Sequence, residues 1–164
     1  MAIMENVHRI MIFGPPGAGK TTLALKLSQD LGLPLYHLDK YFFVDHWQKR
    51  NTFEFRQIQE EIVLQESWII DGNATGSLEM RYVRADMAIY YAPCRLRCLW
   101  GIFKRTFWDK RDHIDDRAPY CPERLTWGLI EYMWGFDRRV TPILQRLQIQ
   151  YPYVRFVKTQ NGKF

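Results

Sequence analysis

No apolar run in this 164-residue chain approaches the ~20 residues that cross a bilayer, so the sequence predicts a protein without a membrane span. Cysteine is scarce. Only Cys94, Cys98 and Cys121 are present, an odd number with no cleavable leader ahead of them, which predicts buried thiols in a reducing cytoplasm and no disulfide framework. Cys94 and Cys98 stand four apart, but none of the four histidines lies at a spacing that completes a zinc site. An N-K-x-D guanine-reading element is missing, which argues against a guanine-nucleotide switch. Helix-turn-helix and RRM signatures are missing as well, and 18 acidic residues dilute the 23 basic ones to a formal charge of +5. Direct nucleic-acid binding is therefore not expected, and a nucleotide pocket holding several arginines accounts for the surplus. Without repeats, linkers or low-complexity tracts, the length predicts a single domain over residues 1–164.

Hydrophobic residues make up 47% of the chain, enough to build a core at this length. Four short apolar runs read as buried strands: Arg9 to Phe13, Leu35 to Leu38, Trp68 to Asp71 and Met87 to Tyr91. Tyr153 to Val157 is a candidate fifth. Between them, Leu23, Leu27 and Leu31 recur at helical spacing before Gly32 and Pro34, and Phe55, Ile58 and Ile62 mark an amphipathic helix from Thr52. Arg95 to Phe107 and Leu125 to Leu147 read as helical, the latter bent or interrupted at Pro142. Alternating strands and helices imply an α/β fold with a parallel sheet covered on both faces.

The strand Arg9 to Phe13 runs into "GPPGAGKTT", which satisfies G-x-x-x-x-G-K-[ST] between a buried strand and an amphipathic helix. In that pattern Gly14, Pro15, Pro16, Gly17, Ala18, Gly19, Lys20, Thr21 and Thr22 surround the phosphates of ATP. Backbone N–H groups and a helix N-terminus point at the anion, Lys20 reaches the β and γ phosphates, and the Thr21 hydroxyl ligates Mg²⁺. Ligands of open α/β sheets gather at the carboxyl ends of strands, where Asp39 and Asp71 stand. Asp71 suits an acid that holds a Mg²⁺-bound water. Three roles are open to Asp39: neighbour of the metal, general base toward an attacking hydroxyl, or helix cap. Phosphoryl transfer also needs cations that close over the reacting group and exclude water. Lys104, Arg105, Lys110, Arg111, Arg117 and Arg124 lie in or beside a polar, aperiodic stretch that reads as such a lid. Tyr41, Phe42, Phe43 and Trp47 either form an aromatic slot for a ring or cover the sheet. Trp127, Tyr132, Trp134 and Phe136 read as core or interface.

Taken together, "GPPGAGKTT", "HLDKYFF", "WIIDGN", Arg81, "RADMAIYYAP", "FKR", "RDHIDDRAPYCPER" and "WGLIEYMW" resemble the adenylate-kinase-like P-loop proteins labelled DNA topology modulation proteins. The resemblance implies a P-loop NTPase three-layer sandwich with five parallel strands in the order 2-3-1-4-5. It further implies an acceptor-side insertion at about 40–67 and a lid at about 105–124. It places Asp39 and Asp71 on the acceptor and metal side, Arg81 on the acceptor or a phosphate, and Arg105 and Arg111 in the lid; Arg117 has no firm counterpart. Two acceptor-phosphate arginines of adenylate kinases are replaced here by Phe42 and Thr75, which argues against ordinary AMP. The expectation is a cytoplasmic Mg-ATP-dependent phosphotransferase, monomeric or homodimeric, acting on a nucleoside, nucleotide or small hydroxylated metabolite. The alternative is a regulatory or DNA-associated nucleotide-binding protein without turnover.

Overall fold

The computed structural model describes residues 6–44, 48–108 and 125–162. Five strands form one parallel sheet: β1 (Arg9–Phe13), β2 (Leu35–His37), β3 (Trp68–Asp71), β4 (Met87–Tyr91) and β5 (Arg155–Thr159), ordered β2-β3-β1-β4-β5. That is the order expected. Among the described residues, seven α-helices connect them: α1 (Lys20–Leu31), α2 (Leu38–Phe42), α3 (Thr52–Val63), α4 (Leu78–Tyr82), α5 (Arg95–Phe107), α6 (Trp127–Trp134) and α7 (Phe136–Gln150). Among the described residues, no helix is long and apolar enough to cross a membrane.

The period-2 alternation of a strand decides which layer each β1 residue joins. Met11 and Phe13 face a core shared with Phe55 and Ile62 of α3, Tyr82 of α4, and Val140, Leu144 and Leu147 of α7. Ile10 and Ile12 face the opposite layer, against Ala24 and Leu27 of α1. With both faces covered, β1, β3 and β4 carry continuous apolar runs, as buried parallel strands do. A third cluster, Ala18, Tyr91, Cys98, Ile102 and Met133, joins the β1–α1 turn to α5 and α6.

Four details depart from expectation. The break in the last helical stretch falls at Gly135, whose N–H closes α6 on Glu131, and α7 continues through Pro142 on its buried side chains Val140, Leu144 and Leu147. β5 begins at Arg155, because Val154 N–H turns back onto Tyr151 O before Arg155 N–H reaches Asp86 O. β2 stops at His37, so Leu38 and Asp39 open α2 and do not extend the strand. Cys98 is buried as expected, but Cys94 is exposed at the N-cap of α5; Cys121 lies outside the described residues.

Candidate functional site

The turn after β1 is held by backbone approach on two sides. A Cβ on Gly17 would lie 2.0 Å from Cys98 O, and one on Gly101 would lie 2.1 Å from Gly17 O, so turn and helix α5 meet backbone to backbone. Only glycine permits this contact. The turn ends at Gly19, the N-cap of α1, with φ at 96° and no side-chain cap, leaving the first amides of α1 free of an intrahelical partner. Those amides and the helix dipole make an anion site.

Lys20, first residue of α1, is partly buried and its Nζ donates to Pro15 O at 3.1 Å. Burial pulls its ammonium below the ordinary lysine value; Asp71 opposes that, Arg105 adds to it, and Asp39 opposes it again. Asp39 from α2, Asp71 from β3 and Arg105 from the last turn of α5 are therefore all within electrostatic reach of one ammonium. The topology does this: β2 and β3 deliver their carboxyl ends beside β1, and the Gly17–Gly101 contact fixes α5 next to the turn. Arg111, the other expected lid arginine, lies outside the described residues, as do Lys110, Arg117, Arg124 and Trp47.

Asp71 is nearly buried. Its Oδ2 accepts from the Thr21 hydroxyl at 2.9 Å and sits 3.2 Å from His37 Nδ1, while its buried Oδ1 has no hydrogen-bond partner among the described residues. A hydroxyl beside a carboxylate with one free oxygen suits a hard cation such as Mg²⁺, which keeps several waters and takes its remaining ligands from a phosphorylated substrate. No group of three His, Cys, Asp or Glu able to hold a metal occurs among the described residues. Asp39 is exposed and lies in the first turn of α2, whose N-cap is His37.

Arg81 lies in α4. Its side chain is fully buried, and its guanidinium donates to Gly72 O at 3.0 Å, Asn73 O at 2.9 Å and Ala74 O at 3.0 Å. Those three donors support the loop after β3 and are not presented to a ligand. The loop in turn touches the phosphate turn, because Asn73 Oδ1 accepts from Gly14 N–H at 3.1 Å. Burial brings the Arg81 pKa down to about 10 against the opposing pull of Asp71, so the group stays cationic at neutral pH.

Of the aromatic residues, Tyr41 and Phe42 pack against the core, and Phe42 meets Phe55 edge-on at 5.0 Å between ring centres. Phe136 is buried, whereas Trp127 and Trp134 are exposed. Sequence reasoning missed His37 and Asn73. "HLD" and "DGN" adjoin the two acids, and the offset of His37 from Asp39 by two residues was the signal available.

Comparisons with known proteins find partial sequence matches and a common fold. The family described as "ATPase family associated with various cellular activities (AAA)" matches residues 10–70. A 4-hydroxy-3-methylbut-2-enyl diphosphate reductase of Nostoc sp. is 33% identical over 70 residues, 43% of this chain and 17% of that protein. A cytidylate kinase of Saccharolobus islandicus is 31% identical over 111 residues, 54% of each chain. The chain thus matches about half the length of that kinase and a smaller part of the reductase. Among solved structures, shikimate kinase from Acinetobacter baumannii in complex with shikimate superposes with a TM-score of 0.60 at 17% identity, over 99% of this chain and 88% of that one. Shikimate kinase from Bacteroides thetaiotaomicron gives 0.57 at 17% identity, over 96% and 88%. A five-stranded parallel sheet in the order 2-3-1-4-5, covered by helices on both sides and entered through a G-x-x-x-x-G-K-T turn, gives this chain the P-loop kinase fold.

Proposed function

We propose that the protein is a Mg-ATP-dependent kinase transferring the γ-phosphoryl group to a hydroxyl-bearing nucleoside, nucleotide or small metabolite. The observation that carries this is a glycine turn at a helix N-terminus with the Thr21 hydroxyl on Asp71 at 2.9 Å, where Asp39 and Arg105 also bear electrostatically on the Lys20 ammonium. A turn that only held a nucleotide would need the lysine and the amides. Asp39 and Arg105 are additional, and they are the groups a transfer requires.

In this reading residues Gly14 to Thr22 hold ATP, with Lys20 on the β and γ phosphates. Thr21 and, through water, Asp71 hold Mg²⁺, which when bound neutralises charge on the phosphates. Asp39 takes the proton from the acceptor hydroxyl as its oxygen bonds to the γ-phosphorus and the bond to the β–γ bridging oxygen breaks, releasing ADP. Arg105, joined by Arg111, stabilises the charge on the transferring group and closes the site to water. We place the whole chain in one kinase-like domain with the acceptor side at about 40–67 and the lid at about 105–124, in a cytoplasmic setting compatible with its free thiols. The resemblance to the adenylate-kinase-like proteins labelled DNA topology modulation proteins belongs to this proposal, as do the cytidylate and shikimate kinase likenesses in respect of acceptor class. Arg81 is not assigned to the acceptor, since its side chain is fully buried and both terminal nitrogens donate to backbone carbonyls.

The test is ADP release from Mg-ATP across a panel of nucleosides, nucleoside monophosphates and hydroxylated metabolites. One acceptor class should stimulate turnover, and Lys20→Ala should lower kcat by about 10²–10³-fold or more. Tight ATP binding with no stimulation by any acceptor would favour a regulatory nucleotide-binding protein.

A further inference from the structure

His37 has no place in the phosphate-binding pattern, yet it is built into the site. β2 and β3 pair in parallel with His37 directly opposite Asp71, and both side chains are nearly buried, 10% and 6% exposed. His37 Nδ1 lies 3.2 Å from the same oxygen, Asp71 Oδ2, that accepts the Thr21 hydroxyl at 2.9 Å. A carboxylate only accepts, so Nδ1 carries the hydrogen in this contact. Two donors, one from each neighbouring element, therefore converge on Oδ2, and Oδ1 is left buried without a partner among the described residues.

We propose that His37 is a positioning residue for the metal site: by donating to Oδ2 it locks the Asp71 carboxylate so that Oδ1 faces the cation's hydration shell and the Thr21 oxygen keeps its lone pairs for the cation. This rests on the function proposed above. Without the histidine the carboxylate has one anchor, the Thr21 hydroxyl, and can rotate about its Cβ–Cγ bond. Rotation offers the metal a mixture of orientations. Partners that orient a metal-ligating group in this way typically contribute 10–100-fold to metal affinity. The imidazole touches neither phosphate nor acceptor in this reading, so its effect should appear in metal dependence and not in nucleotide affinity without metal.

The experiment measures binding of a non-hydrolysable ATP analogue with and without Mg²⁺ to the full chain and to His37→Leu, His37→Asn and His37→Gln, each checked for wild-type thermal unfolding. The asparagine amide nitrogen occupies the position of Nδ1, whereas the glutamine amide reaches the position of Nε2. The expected result is that Mg²⁺ tightens analogue binding by the wild type and by His37→Asn, that this tightening is about 10-fold smaller or worse in His37→Leu and His37→Gln, and that metal-free binding is alike in all four. Wild-type metal dependence in the leucine variant would overturn the inference. Should that variant not fold, equal behaviour of the asparagine and glutamine variants would overturn it just as well. Indifference of the wild type to Mg²⁺ would overturn both this inference and the function on which it rests, which separates the two failures.

Discussion

Replacing Arg81 by methionine separates a structural guanidinium from a ligand-binding one. The carbonyl oxygens of Gly72, in a buried contact, and of Asn73 and Ala74, in partly buried ones, would each lose a donor at 2.9–3.0 Å. An unsatisfied buried group costs ~1–3 kcal/mol and a partly solvated one less, so the gross loss is roughly 3–6 kcal/mol. Methionine also removes a charge whose burial itself costs several kcal/mol, which offsets part of that loss. A net destabilisation of about 2–4 kcal/mol is expected, a large share of the ~5–15 kcal/mol that holds a domain folded. For a chain of this size that corresponds to a Tm lower by roughly 4–16 °C. Arg81→Lys should fall short of wild type too, because a single ammonium cannot span three carbonyls with the geometry of the guanidinium fork. Urea denaturation measures the loss, and analogue binding should weaken with it, since the same loop contacts Gly14 through Asn73. Unfolding within about 0.5 kcal/mol of wild type, combined with a raised KM for the acceptor, would refute this reasoning and return Arg81 to the acceptor site.

Two further predictions concern pH. Burial depresses the Lys20 pKa below its ordinary 10.5, so between the depressed value and 10.5 the unfolded chain binds more protons than the folded one. Stability should therefore rise with pH through that window by urea denaturation, and Lys20→Met should flatten the rise; an unchanged slope in the variant would place the titration elsewhere. Asp86 behaves in the same sense at the acid end of the scale: burial pushes its carboxyl up, but the Arg9 side chain and the N–H groups of His8 and Arg9 together hold it below the ordinary range. Its stabilisation is complete above the unfolded carboxylate pKa and is lost as pH falls through the folded value. Asp86→Asn should thus cost stability at pH 7 and little at pH 2.5, and an equal cost at both would show that the ion pair is not its source.

The sequence by itself determined the phosphate turn, because its function depends on residues contiguous in the chain: glycines at fixed offsets, a lysine, and a hydroxyl opening a helix between a buried strand and an amphipathic face. It also determined the alternation of strands and helices, since periods of 2 and 3.6 are written locally. Element ends were less legible where two local signals competed, as at Gly135 against Pro142, or where a turn such as Tyr151 to Val154 shares the composition of a strand. Only the tertiary structure decided the partners of Asp71. Parallel pairing of β2 with β3 sets His37 opposite it from 34 residues away, and the local signal, its two-residue offset from Asp39, does not point to Asp71. It also decided Arg81, which reads in sequence like any basic residue near an acid. Its burial follows from three carbonyls exposed by the loop after β3, and those carbonyls exist as acceptors only once the sheet and α4 have closed around them.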